Sequence, residues 1–141
     1  MANGVRVSIS SQEVKVKATS LVAAMCVLLL CACTDQDAIT RAKIAEAEAT
    51  GRQAAQAVES HFKKHGRYPS QIEEAYVRPA ALKDIKLMSV TRKTGVVRVV
   101  LSFPPVEGQS LLFVPSRKGK NIEWRCTSED IDPKFLPEAC R

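Results

Sequence analysis

The feature that most restricts the fold is a long proline-free segment rich in helix-forming residues. Between Asp37 and Lys64 the chain is rich in Ala, Glu, Gln, Lys and Arg, the residues with the strongest helix preference. Small and apolar residues recur there at the spacing of one helical face: Ile44, Ala47, Gly51, Ala54, Ala55, Val58 and Phe62. Their small size predicts a helix that lies close against a sheet. Coiled-coil pairing is the alternative, although alanine and glycine would form a weak seam.

The end of this helix is marked by glycine and proline. Gly66 can adopt the left-handed C-cap conformation and Pro69 follows it, so we expect the helix to stop there. Residues 70–83 then form a connecting loop, with a short helical turn around Gln71–Ala75 and a break at Pro79.

Beyond Ile85 the pattern changes to alternation. The apolar residues of the four predicted strands are, in chain order, Met88 and Val90; Val97, Val99, Leu101 and Phe103; Ser110 to Val114; and Ile122, Trp124 and Cys126. Gly95 marks the first turn, Pro115 is expected to end the third strand, and a basic turn follows from Arg117 to Asn121. Short strands with short links predict an antiparallel meander packed on the helix, an α+β fold.

The first 32 residues have the layout of an export signal. A polar segment ending in Lys15 and Lys17 precedes an apolar run from Ala18 to Ala32. The strongly hydrophobic part, Leu21–Leu30, is about half of the 20 residues or so that a membrane-spanning helix needs. A cleaved signal peptide is therefore predicted. The alternative is an ordinary signal or an uncleaved anchor whose cysteines are accidental.

The end of the apolar run resembles the lipobox of bacterial lipoproteins. An aliphatic residue, Leu30, lies three places before Cys33, and a small residue directly precedes that cysteine. Cys33 is the predicted lipidation site, whereas cleavage at Cys31 would put Leu30 beside the scissile bond. We expect a signal peptide at 1–32, a lipidated tether at 33–37 and a globular domain at 38–141. Thr34 after the cysteine favours delivery to the outer membrane, so a cell-envelope location is expected, periplasmic or surface-facing.

Two cysteines remain in the mature chain. Cys126 and Cys140 are an even number of cysteines in an exported protein, which indicates a disulfide between them. Metal binding is the competing use, but two thiols without nearby histidines cannot complete a four-ligand site. His61 and His65 lie one helical turn apart among lysines and an arginine, which favours solvated polar residues over a metal site.

Charge suggests an anionic partner without specifying one. The net charge is +6, a value that is also common among proteins that bind no polyanion. Candidate DNA-contact residues lie at strand ends and turns: Arg92, Lys93, Arg117, Lys118 and Lys120. Solvated strand ends explain the same residues more simply. Aromatic residues make up only 5% of the chain, which argues against stacking on single strands.

Catalytic signals are absent from the sequence. It shows no nucleophile placed with a base, no phosphate-binding glycine loop and no ligand cluster, so we expect no enzyme activity, no cofactor and no small-molecule substrate. The acidic pairs Glu73-Glu74 and Glu129-Asp130 are adjacent residues of the kind that are usually solvated.

Two segments resemble type IV pilins. Residues 57–70 are similar to the end of the family's long helix, with an aromatic residue, a glycine, and a proline after a bulky residue. Residues 122–140 are similar to its C-terminal region, in which Trp-X-Cys leads to Lys-aromatic-Leu-Pro and a last cysteine. The resemblance implies one long N-terminal helix on a four-stranded antiparallel sheet, with a disulfide-bounded loop between Cys126 and Cys140.

The resemblance also implies a role, and the departures from it narrow that role. Type IV pilins carry a glycine cleavage site followed by a continuous apolar helix that polymerises, whereas residues 38–57 here are charged and alanine-rich. We therefore expect an accessory, adhesion or assembly lipoprotein whose partners are the membrane, through its lipid, and pilus subunits or assembly proteins. Candidate contact residues in the loop are Ser128, Glu129, Asp130, Lys134 and Phe135. The alternatives are a loop that only closes the fold, a DNA-uptake module, and a surface or periplasmic inhibitor.

Overall fold

One helix and one sheet account for most of the described structure. The computed structural model describes residues 35–76, 82–119 and 121–141; the predicted signal peptide, Cys33, Pro79 and Lys120 lie outside them. The elements are α1 (Gln36–His65), β1 (Ile85–Val90), β2 (Val97–Leu101), β3 (Ser110–Lys118) and β4 (Asn121–Thr127), with short 3₁₀ helices at Ile72–Glu74 and Glu138–Cys140. The helix, the four strands and the helical turn after Gln71 confirm the sequence predictions.

Both ends of α1 are capped by their own sequence. The Asp35 side chain accepts hydrogen bonds from the backbone N–H groups of Asp37 (3.1 Å) and Ala38 (3.2 Å), which have no partner within the helix. At the other end Gly66 has a φ of 68°, and its N–H donates to the carbonyl of Phe62 at 2.8 Å. The helix thus includes residues 36 and 37 of the expected tether. None of the helices within the described ranges has the length and apolar character needed to cross a membrane.

The sheet is an antiparallel meander with the strand order β1-β2-β3-β4. Met88 pairs with Val99, while Val97 and Cys126 pair with Phe113 from either side. Because side chains alternate along a strand, these pairs place one apolar row on the face that packs against α1. The buried core contains Ile44, Ala47, Ala54, Ala55 and Val58 of α1 together with Met88, Val97, Val99, Leu101, Leu111 and Phe113 of the sheet.

The helix packs tightly against the sheet at a glycine. A Cβ atom built on Gly51 would lie 2.1 Å from Cε2 of Phe113, closer than real contacts allow. The small residues of the helical stripe therefore serve the purpose that the sequence predicted: they let the helix axis approach the sheet.

The third strand is longer than predicted. Pro115 was expected to end it, but β3 continues to Lys118 and pairs with β4 throughout, with Pro115 opposite Trp124. Pairing between β2 and β3 ends where Val97, the first residue of β2, lies opposite Phe113. From Val114 onward, β3 therefore has only β4 beside it. A proline on such an edge removes no hydrogen bond to a second neighbour. The predicted basic turn shortens accordingly to the residues between Lys118 and Asn121.

Candidate functional site

The C-terminal loop is closed by a buried disulfide. Cys126 on β4 is bonded to Cys140 in the last 3₁₀ helix, 14 positions later, and both residues are almost fully buried. Glu48 of α1 lies beside the two sulfur atoms, so that an oxygen of its carboxylate and both Sγ atoms fall within 4.8 Å of one another. The S–S bond leaves neither cysteine as a thiolate, and the pair therefore closes the loop rather than offering two metal ligands.

The first part of this loop is fixed to β3. The Ser128 hydroxyl donates to the carbonyl oxygen of Ser110 (2.8 Å) and accepts from the N–H of Ile131 (3.1 Å). Asp130 accepts from the backbone N–H of Ser110 at 3.0 Å and from its hydroxyl at 3.3 Å. Ser128 and Asp130, both predicted contact residues, are thus engaged in holding the loop, although the Asp130 side chain keeps an exposed surface.

The second part of the loop meets the start of α1. Nζ of Lys134 lies 3.3 Å from Oδ2 of Asp37 and 4.4 Å from the centre of the Phe135 ring. Phe135 is only 6% exposed and belongs to the core, so the prediction that it is a contact residue is wrong. Glu129 and Lys134 remain exposed, as predicted contacts should be. The loop also exposes Asp132 and Glu138, which makes its surface mainly acidic.

The candidate DNA-contact residues that the structure describes lie at the other end of the fold. β1 and β3 run in the same direction in the meander, so the turns that follow them are at the same end of the sheet. Arg92 and Lys93 are exposed in the first turn, and Arg117 and Lys118 are exposed on the β3–β4 ribbon.

The end of α1 reaches the same place, because the Tyr68 ring lies against Gly95 of the first turn. A Cβ on Gly95 would come within 2.4 Å of that ring. We call this region the basic end; its exposed cations include Lys63, Lys64, Arg67, Arg92, Lys93, Arg117 and Lys118.

Two of the predicted DNA-contact residues are already engaged. The Arg117 guanidinium lies over the Phe62 ring, 4.4 Å from its centre, and Phe62 in turn contacts Tyr68. Nζ of Lys118 is 2.6 Å from Oε2 of Glu123 across the ribbon. Exposed ion pairs of this kind are weak and can exchange partners, so a phosphate could replace the carboxylate. Arg92 and Lys93 are exposed in the turn, and neither forms an ion pair with another residue that the structure describes.

A polar contact that the sequence did not reveal joins the helix to the ribbon. Nε1 of Trp124 donates to Oε2 of Glu59 at 3.0 Å, and Nζ of Lys63 lies 2.6 Å from Oε1 of the same carboxylate. The hydrogen bond from Lys63 lowers the pKa of Glu59 below its ordinary value; partial burial acts in the opposite direction and the bond from Trp124 adds to the lowering. No short-range sequence pattern reveals this contact, because Glu59 and Trp124 are 65 positions apart in the chain.

Comparison with known proteins places these features in one family. The sequence model of the pilin family, described as a bacterial filament protein family, matches residues 40–141. A fimbrial protein of Neisseria meningitidis serogroup A / serotype 4A is 29% identical over a match that covers 75% of this chain and 78% of that protein. The family match spans α1, the sheet and the disulfide described above, and the chain therefore belongs to the pilin family.

Proposed function

We propose that this pilin is a lipid-anchored, non-enzymatic accessory component of a type IV pilus or related system, which acts in adhesion or assembly. The observation that carries the proposal is the surface of α1 near its start. Arg41, Ala45 and Glu46 are exposed there, and the helix begins at a polar N-cap, Asp35. A charged and capped helix start suits a head that stands in water better than one packed in an apolar fibre core.

A lipid on Cys33 would define which end of the head faces the membrane. Cys33 precedes the N-cap Asp35 by two positions, so the anchor would be attached at the start of α1. The disulfide loop meets α1 at this end through Lys134 and Asp37. With a rise of about 1.5 Å per residue, the 30 residues of α1 extend about 45 Å, which would hold the basic end away from the membrane.

Lipidation at Cys33 is tested by intact-mass analysis of the protein extracted from membranes. The proposal predicts a mature chain that starts at Cys33 and carries diacylglycerol and an amide-linked acyl group. Cys33→Ser should remove the lipid and prevent that cleavage, whereas Cys31→Ser, the matched control within the same four residues, should leave both unchanged. A mature chain of unmodified mass, or lipid that depends on Cys31, would contradict the anchor.

An accessory role in assembly is tested by deletion. Loss of surface pili without this protein, restored by the wild-type chain, is the expected result for an assembly component. Loss of attachment with normal piliation would instead identify adhesion. The exposed loop residues Glu129 and Lys134 are the first to change in the complementing copy, because neither is buried in the core. Unchanged piliation and attachment after deletion would contradict the proposal.

Duplex DNA binding at the basic end is a second candidate function, favoured by one observation. The fold gathers cations from α1, the β1–β2 turn and the β3–β4 ribbon at a single end. Lysine and arginine that contact phosphates release condensed counterions, so binding should weaken steeply as salt rises. The end farthest from the proposed anchor is also the end that an external polymer would reach first.

The DNA candidate is tested with a pair of charge-matched variants. Arg92→Glu with Lys93→Glu changes the basic end, while Lys83→Glu with Lys86→Glu makes the same change in net charge near the start of β1, at the opposite end. The first pair should weaken duplex binding at every sequence and reduce the salt slope by about 2, roughly one unit per lost phosphate contact. Equal effects of the two pairs, or salt-independent binding, would reject the candidate.

A further inference from the structure

The two histidines of the chain face one surface pocket. His61 and His65 lie one turn apart at the C-terminal end of α1, and they are the only histidines in the sequence. The pocket has a volume of about 400 Å³ and opens between this helix end and the 3₁₀ helix Ile72–Glu74. Besides the histidines it is lined by Ala57, Ser60, Lys64, Glu74 and Ala75.

The two imidazole rings are arranged as a pair. Their centres are 4.4 Å apart and their planes are inclined by 39°. Nε2 of His61 is shielded from solvent and has no hydrogen-bond partner in the part of the chain that the structure describes. A buried polar atom in this state carries an uncompensated desolvation cost, which rotation of the ring towards the pocket would remove by bringing the nitrogen to an ion there.

The pocket also contains one acidic group and the carbonyl end of a helix. The Glu74 carboxylate lines the pocket, and its Oε2 accepts a hydrogen bond from the N–H of Ser70 at 3.3 Å. The carbonyl end of the helix dipole favours a cation here, and imidazole nitrogen is a common ligand of divalent transition metals.

From this arrangement we propose that His61 and His65 form an open binding site for a divalent transition metal of the Cu²⁺ or Zn²⁺ class. Two histidines at positions i and i+4 of a helix are a known way to present two imidazole ligands to one ion. Solvent would complete the coordination, and Glu74 is the one carboxylate that lines the same pocket. The site is independent of the proposed role in pilus function, because it needs only the helix end and the neighbouring 3₁₀ helix.

The test is metal titration of the mature protein extracted from membranes, purified without a histidine tag and with the disulfide intact. Equilibrium dialysis should show one Cu²⁺ ion and, more weakly, one Zn²⁺ ion bound per chain, in the order expected for nitrogen ligands, and no binding of Mg²⁺ or Ca²⁺. The electron paramagnetic resonance spectrum of bound Cu²⁺ should show hyperfine coupling to two imidazole nitrogens. Since a second ligand on the same helix acts intramolecularly, either His61→Gln or His65→Gln should weaken binding at least about tenfold.

A control variant and a folding check separate this site from unspecific binding. Lys64→Gln removes a cation from the pocket but no imidazole, so binding should stay at wild-type strength or become tighter. His65→Gln changes an exposed side chain, and its far-ultraviolet circular dichroism should match the wild type, which distinguishes loss of a ligand from loss of fold. Wild-type affinity in both histidine variants would overturn the proposal, and so would equal loss of binding in Lys64→Gln.

Discussion

Trp124 on β4 donates its indole N–H to the carboxylate of Glu59 on α1 at 3.0 Å, a contact that joins residues 65 positions apart. It lies on the part of the β3–β4 ribbon that projects beyond β2, where Arg117 also covers Phe62. The ribbon is therefore held to the end of the helix by polar and aromatic contacts rather than by the sheet core. This arrangement supports the helix end that carries the histidine pair.

Removal of this hydrogen bond should loosen the ribbon. We expect Trp124→Phe to lower the free energy of unfolding by about 1 kcal/mol, because it deletes one hydrogen bond to a charged group while keeping an aromatic ring. Urea unfolding measures the loss. In a double-mutant cycle with Glu59→Ala, which removes the acceptor, the two changes should be less than additive. Strict additivity would show that the contact contributes nothing to stability.

Glu59 should also make stability depend on pH. Its pKa in the folded protein is lowered, mainly by the hydrogen bond from Lys63, so the folded state binds its proton less readily than the unfolded state does. The resulting stabilisation is present above the ordinary glutamate pKa of about 4.3 and is lost as the pH falls through the lower folded value. The stability difference between the wild type and Glu59→Gln should therefore shrink as the pH falls below about 4. A difference that stays constant down to pH 2 would contradict this assignment.

The contact between Gly51 and Phe113 predicts the reverse of ordinary helix propensity. Gly→Ala inside an exposed helix stabilises by about 1 kcal/mol. At Gly51 the added methyl group would overlap the Phe113 ring, so we expect destabilisation by about 1–3 kcal/mol instead. Thermal unfolding of Gly51→Ala checks the sign. Ala45→Gly, at an exposed position of the same helix, serves as the control and should show the ordinary cost of about 1 kcal/mol. A raised melting temperature for Gly51→Ala would mean that the helix does not approach the sheet this closely.

The disulfide should contribute substantially to stability. A loop closed over 14 positions is expected to stabilise by about 3 kcal/mol, chiefly by restricting the unfolded chain. Cys126→Ser combined with Cys140→Ser should lower the unfolding free energy by about that amount, and reduction of the wild-type protein should have a similar effect. An unchanged urea midpoint after either treatment would show that the loop is held by its other contacts, such as those of Ser128 with Ser110.

The sequence was most informative where local rules decide the structure. The bounds of α1 followed from helix propensity and from Gly66, whose left-handed conformation few other residues adopt readily. The apolar alternation from Val97 to Leu101 located β2 because one of its faces is buried. Both features depend on neighbours within a few positions, which a single sequence displays directly.

Features set by distant neighbours were not predictable in the same way. Pro115 was expected to end β3, because the sequence does not show that this part of the strand lacks a second neighbour. Phe135 was expected to be an exposed contact residue, but it packs into the core beneath the disulfide loop. The bond between Glu59 and Trp124 depends on how the ribbon crosses the helix, which no short-range pattern encodes.

The most direct test of the proposed role is the distribution of the protein between sheared pili and membranes. Pili would be sheared from intact cells, separated from the membrane fraction, and both fractions quantified by mass spectrometry, with a strain that lacks pili as the control. The account predicts recovery with the membranes at equal levels in both strains, because the lipid at Cys33 and the charged start of α1 keep the head outside the fibre. Recovery in the pilus fraction of the piliated strain alone would contradict it and would show that this pilin is a fibre subunit.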